Sequence, residues 1–252
     1  MHGTLDEVSK KPATLLVYDF SFFSYRSTRI KDASIVFEFQ GKKGPGGGEL
    51  KVQKVTPYGR QSMMQTTQTE TFKLGAQIGA SFSGANASIS PERTVEKTTT
   101  HAMEITGDNP CDNAGSYQTA QWLLNENKSQ HSGIVSLLRT CVLLTRDTND
   151  EFKCIPSIEA TPDFKTALGS LFSSRTPDDD IVYDPEYEPY NVLEGDVKID
   201  PSNLGRVVLN DLWDCTFQSN FGQAVKVSRT VQSGADVEKV ETVKEVKQPV
   251  AN

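Results

Sequence analysis

The chain reads as mainly β (α+β): an antiparallel β-sandwich or curved sheet with one or two short helices near the C-terminus. Three observations lead there. Phe72, Leu74, Ala76, Ile78, Ala80 and Phe82 alternate with polar or glycine positions, and a period of two sends every apolar side chain to one face of a strand. Similar alternating segments recur along the chain, separated by clusters of Gly, Pro, Asn, Asp and Ser that turn it. No strand–helix–strand rhythm interrupts them, as a parallel sheet would require.

Taken in order, the first strand is expected over 14–25, where Leu15 and Val17 alternate with Leu16, Tyr18 and Phe20 before the bulky Phe22 and Phe23. The second runs over 30–39 with Ala33, Ile35, Phe37 and Phe39 on one face. Gly41 to Gly48 then breaks all periodicity. Glycine density of this kind is a loop; a phosphate cradle would need a following helix and a GK[ST] ending, whereas Glu49 and Leu50 lead into another strand. The 72–82 run pairs back through Ser83–Pro91 onto a return strand carrying Val95, His101, Met103 and Ile105. Two apolar runs, 120–127 and 137–145, read as buried strands, the second with a short helix as its alternative, and 151–160 supplies another after a turn at Thr148-Asn149-Asp150.

Helical signals come late. Phe164, Ala167, Leu168, Leu171 and Phe172 follow Thr161-Pro162-Asp163 at amphipathic spacing, and a second helix is expected after Asp200-Pro201-Ser202 with Leu204, Val207, Val208, Leu212 and Trp213 along it. The expected organisation is a flexible N-terminus over 1–13, one β-rich domain over 14–220, and a charged tail over 221–252 whose three-residue valine repeat drifts around a helix and reads as disordered.

A net charge of −7 and a pI of about 5.1 argue against sequence-independent nucleic-acid binding, which needs clustered Lys and Arg to neutralise phosphates. The local basic group Arg26, Arg29 and Lys31 reads as a solvated face. No apolar run approaches the roughly 18 residues of a membrane-spanning helix and the first residues are too polar for a secretory signal, so a cytoplasmic protein is expected. Cys111, Cys141, Cys154 and Cys215 form no CxxC pair; they read as reduced, packed thiols, with Cys154 opposite Leu143 across a hairpin, and neither metal nor cofactor is expected.

Pro57-Tyr58-Gly59-Arg60 with Thr66-Thr67-Gln68, the run Trp122 to Asn127 followed by Gly133-Ile134, Leu143-Leu144-Thr145-Arg146, and Pro177-Asp178-Asp179 with Asp184-Pro185 resemble a family of uncharacterised β-rich proteins from filamentous fungi. The resemblance spans roughly 14–217. It implies an intracellular fungal protein and brings no activity, cofactor or catalytic residue with it. The alternating hairpin alone is similar to those of β-pore-forming toxins.

Four residues are candidates for acid–base or steering roles. His101 carries an imidazole, the side-chain type suited to acid–base work, and lies by parity on the apolar side of its strand, where a packed core histidine is the plainer reading. Glu126, beside Trp122 and Asn127 at a strand end, is a general acid or base if desolvated, and otherwise a partner for a neighbouring turn. Tyr18 and Arg139 complete a set able to steer a small apolar metabolite. Phe72, Leu74, Ile78 and Phe82 form either a core face or a membrane or partner face. The acidic stretch 178–188 has oxygen ligands for calcium but lacks EF-hand spacing, so it reads as a solvated loop or a strap held by Tyr183, Tyr187 and Tyr190.

Three functions follow as expectations. The first is an intracellular recognition or interaction protein, binding a protein or a small apolar ligand. The second is a cofactor-independent cyclase or isomerase acting on a small apolar secondary metabolite, and the third is a defence protein that inserts its hairpin into membranes.

Overall fold

The computed structural model describes residues 1–23, 29–42, 48–74, 93–163, 179–187, 199–218, 224–232 and 235–243. Their strands are β1 (His2–Thr4), β2 (Pro12–Ser21), β3 (Ile30–Gly41), β4 (Leu50–Thr56), β5 (Gly59–Leu74), β6 (Arg93–Asp108), β7 (Thr119–Asn125), β8 (Leu137–Arg146), β9 (Phe152–Pro162), β10 (Ile181–Tyr183), β11 (Asp214–Gln218), β12 (Ala224–Gln232) and β13 (Ala235–Val243). All pairings are antiparallel. One sheet has the order β1-β2-β8-β11-β12-β13, with β4 and β11 sharing one edge of β8, and the other has the order β10-β9-β3-β7-β6-β5.

Alternation explains why the two sheets stack. Leu16 of β2, Leu138, Val142 and Leu144 of β8, and Val52 and Val55 of β4 face Ile35, Phe37 and Phe39 of β3, Met103 and Ile105 of β6, and Trp122 and Leu124 of β7 in one core. Each fully buried Leu, Ile or Phe contributes about 1.5–3 kcal/mol. Phe37 sits at the centre, with the rings of Tyr18, Phe20, Trp122 and Phe39 at 4.5, 5.9, 6.1 and 6.5 Å.

A second, smaller core lies on the outer face of the β8 sheet. Ala13, Leu15, Cys141 and Leu143 point away from the sandwich and are covered by Leu204, Leu209 and Leu212. The covering segment, 199–213, is here called the strap. It was expected as an amphipathic helix and is instead two 3-10 turns, Pro201–Arg206 and Leu209–Asp211. Gly205 donates its N–H to Leu5 O at 2.8 Å, and Asn203 at φ −148° is non-helical. Backbone docking onto the N-terminal segment thus overrides the apolar spacing, and Val208, expected on the apolar side, is exposed.

Other expectations change as well. The 146–152 turn does not make a hairpin: β8 and β9 belong to different sheets, so Cys154 faces the main core rather than lying opposite Leu143. Cys141, Cys154 and Cys215 are buried free thiols, whereas Cys111 is exposed. Residues 1–13 are not loose, since β1 pairs with β2. The supposed tail carries β12 and β13, paired from Ala224↔Val243 to Gln232↔Ala235. The helix expected over Phe164–Phe172 lies outside the described residues, as do Ile78 and Phe82.

The hairpin begins earlier than alternation suggested, at Gly59. Strand β7 pairs with β6 only from Glu104 to Asp108, while β5 and β6 continue together from Thr66↔His101 to Leu74↔Arg93. Beyond Asn125 the hairpin is therefore a two-stranded ribbon with no third strand among the described residues, extending about 30 Å at ~3.3 Å per residue.

Candidate functional site

Strand β4 breaks the period of two. Val52 and Val55 both enter the main core, and the register with β8 shifts between Val52 and Lys54. The extra residue is a β-bulge, which turns a strand and re-aims its side chains. Gln53 and Lys54 both emerge on the outer side, and Gln53 Nε2 donates to Thr145 Oγ1 at 2.9 Å. Across from them runs the strap, tied by Thr4 Oγ1 donating to Ser202 O at 2.7 Å and by Asp200 Oδ1 accepting from Ser202 N at 2.9 Å.

Between bulge and strap lies an open cleft of two adjoining lobes. One, of about 570 Å³, is walled by Lys54, Val55, Tyr58, Arg206, Val207 and Leu209 among others. Its neighbour, about 360 Å³, is lined by Leu5, Asp6, Gln53, Lys54, Asn203 and Arg206 among others. Lys54 and Arg206 border both lobes, are exposed, and form no ion pair among the described residues. Asn203 is 8% exposed, and its Oδ1 has no hydrogen-bond partner. Asp6, the one carboxylate in the lining, forms no ion pair with either cation: it accepts from Ser9 Oγ, Ser9 N and Val8 N, and the Ser9 hydroxyl foremost holds it below the ordinary carboxylate range, so it stays an anion that offsets part of the positive charge. Tyr58, 60% exposed, adds an open aromatic face.

The four residues expected to act in chemistry fall in three places. Arg139 lies on the outer face of the β8 sheet, gripping Asp19 through Nε and Nη2 at 2.7 and 3.0 Å, with Asp214 its cross-strand neighbour. Tyr18 is inside the sandwich, its hydroxyl 2.9 Å from that of Tyr183. Burial pushes the Tyr18 phenol well above its ordinary range. Glu126 and His101 lie near one end of the β7 sheet without meeting as an acid–base pair. Glu126 Oε2 accepts from Arg29 Nε at 2.9 Å and from Gly133 N at 3.1 Å, closing the loop after β7. His101 contributes its backbone carbonyl, which accepts from Asn127 Nδ2 at 3.3 Å.

Asn127 was singled out only as a neighbour of Glu126, yet it organises this end. Its Nδ2 also donates to Met64 O at 2.6 Å, and its Oδ1 accepts from Ser129 N and Oγ at 3.1 and 2.8 Å. Met64, at φ 50°, sits in the bulge between Met63 and Thr66. Asn127 thus satisfies carbonyls that the irregular ladder leaves unpaired.

The other titratable groups are similarly committed. Burial pushes the thiols of Cys141 and Cys154 up to about 12, so neither is a thiolate near neutrality. In the acidic stretch, Asp180 pairs with Lys153 and Asp184 Oδ1 accepts from Glu186 N, while Tyr183 stacks on Phe152 at 5.1 Å. Among the described residues no group of three or more His, Cys, Asp or Glu is placed to hold a metal ion, and no helix is long and apolar enough to cross a membrane.

His2 carries a pH dependence. Burial first, then the positive charges of the chain's amino group and Arg146, lower its pKa from 6.5 to about 4, with Asp184 opposing. The unfolded chain therefore binds the extra proton between those values. Stability is full above about 6.5 and falls as pH drops towards 4. Because His2 is only half-buried, the loss expected is about 1–2 kcal/mol. Urea unfolding at pH 7 and 4.5 should show a smaller acid loss in His2→Gln than in wild type; equal losses would contradict the assignment.

No protein-family model matches the chain, and no curated protein is significantly similar to it in sequence.

Proposed function

We propose that this chain is a non-enzymatic recognition protein whose ligand seat is the cleft between β4 and the strap. The partner that best fits is an extended protein segment in which acidic and apolar residues alternate. One observation carries this reading: Lys54 and Arg206, neither in an ion pair among the described residues and together outnumbering the single carboxylate of Asp6, border two lobes whose other walls include Leu5, Val55, Tyr58, Val207 and Leu209. In a chain of net charge −7 a local cationic cleft gives electrostatic complementarity to an acidic segment, and such complementarity governs partner choice and encounter rate. The apolar walls supply the area that excludes water.

The dispersal of Tyr18, Arg139, His101 and Glu126 supports binding over catalysis. Acid–base chemistry needs its groups within hydrogen-bond reach of one reacting centre, and Tyr18, Arg139 and Glu126 are each held by another side chain.

An array of extended peptides alternating Asp or Glu with Val, Leu or Tyr tests the reading. Peptides selected by wild type should bind the Lys54→Glu/Arg206→Glu double variant at least about tenfold more weakly. The difference should shrink as salt shortens the Debye length from about 30 Å at 0.01 M to about 8 Å at 0.15 M. Both substitutions are at exposed positions and spare the fold, so equal binding by the two proteins would sink the proposal.

A further inference from the structure

We propose that a separate cleft, walled by β1, the start of β2 and the end of β8, binds a small molecule through a carboxylate or phosphate group held by Arg146 and Lys10. The cleft encloses about 440 Å³ and is lined by His2, Thr4, Lys10, Arg146, Asn149 and Glu186 among others. Arg146 is only 3% exposed and forms no ion pair among the described residues.

Its hydrogen bonds leave a defined remainder. Nη1 donates to Thr148 O at 3.1 Å and to Asn149 Oδ1 at 3.4 Å, and Nη2 donates to Ala13 O at 3.4 Å. Of the five N–H donors of a guanidinium, that leaves Nε–H and one hydrogen of Nη2, and Nε is buried without any partner. These unspent donors, on a guanidinium that lines the cleft, are the groups through which arginine takes an oxyanion. Phe152 lies 5.8 Å from the guanidinium carbon, contributing its ring face but no charge.

Arginine cannot shed its proton to escape a low-dielectric site as lysine or a carboxyl group can. An unpaired buried charge is costly, and an anion delivered to it is attracted more strongly than at the surface. The acids nearby do not fill the role. Asp147 pairs with Lys11 at 3.2 Å, and neither Asp184, whose charge is felt at His2, nor the exposed Glu186 forms an ion pair with Arg146 or Lys10 among the described residues. Lys10, exposed on the cleft wall, supplies the second cation. The volume exceeds that of a bare ion, so the anionic group is read as one end of a small metabolite.

The test uses the full chain and two probes, inorganic phosphate and acetate, each titrated at constant ionic strength against chloride. The His2 ring signals in NMR are the readout, since an anion beside Arg146 also raises the depressed His2 pKa. A saturable shift with either probe is expected, and which of them saturates assigns phosphate or carboxylate. Lys10→Ala should weaken the saturation at least about tenfold, and Arg146→Lys should abolish it. If Arg146→Lys does not fold, the Lys10→Ala comparison decides alone. The proposal is overturned if the shifts stay linear and equal in phosphate, acetate and chloride, or if Lys10→Ala binds as wild type does.

Discussion

Asn127→Ala is expected to lower the unfolding free energy by about 2–4 kcal/mol, more than most single truncations of a polar side chain. Asn127 is fully buried, and its amide is used at both ends. Losing Nδ2 strips the half-buried carbonyls of Met64 and His101 of a donor. Losing Oδ1 frees Ser129 from the loop. Because one side chain joins the β5 bulge, β6 and the loop after β7, its removal acts on three elements together, and such networks exceed the sum of their pairs. Urea denaturation followed by far-UV circular dichroism should show a lower midpoint with unchanged slope. A loss below about 0.5 kcal/mol, the range of an ordinary surface change, would mean that the bulge is held by something else.

Gly107→Ala should be at least as damaging, by about 3 kcal/mol or more, because overpacking here meets backbone. A Cβ at Gly107 would stand 1.8 Å from Pro57 O and 2.8 Å from Trp122 Cδ1. That carbonyl accepts the indole N–H of Trp122 at 3.2 Å, and Trp122 is fully buried against Phe37. Relief of the clash therefore moves either the β4–β5 connection or a buried tryptophan of the core. Gly115→Ala is the matched control: its φ of +84° makes a side chain strained, but nothing lies within 4 Å of the added carbon, so its cost should be about 1 kcal/mol. Thermal melts of the two variants should differ by several degrees; coincident melts would contradict the close approach.

The sandwich was legible because its strands obey one rule. In β3, Ala33, Ile35, Phe37 and Phe39 all enter the core, and period two says so without further information. The rule fails where another interaction decides. Val52 and Val55 are three apart, and no local pattern announces that a bulge makes both of them core residues. Leu204 and Leu212 fit a helical stripe as well as a strap, and what selects the strap is Gly205 bonding Leu5 at the far end of the chain. Strand β13 was unreadable for a different reason: its valines fall at every third residue, which follows neither period, and its backbone is paired with β12.

The candidate sites were less legible still. Lys54, Asn203 and Arg206 come from two elements distant in sequence, and an ordinary exposed lysine looks the same in sequence as one facing a cleft. Arg146 was quoted only as the end of an apolar run, and its burial without a carboxylate is visible only in three dimensions. Conversely, Glu126 and Tyr18 stood out because polar groups at strand ends and among aromatics draw attention. Their partners, Arg29 and Tyr183, give them structural work.

Recognition between β4 and the strap places the ligand against residues of both elements. Titrating the isotope-labelled chain with a peptide selected from the acidic–apolar array, and following backbone amides by NMR, tests it most directly. Shifts concentrated at residues 53–56 and 203–210 are expected, and they should be lost in the Lys54→Glu/Arg206→Glu variant. Shifts centred instead on His101 and Glu126, on the Tyr18–Tyr183 pair, or along the β5–β6 ribbon, with residues 53–56 and 203–210 unmoved, would contradict it.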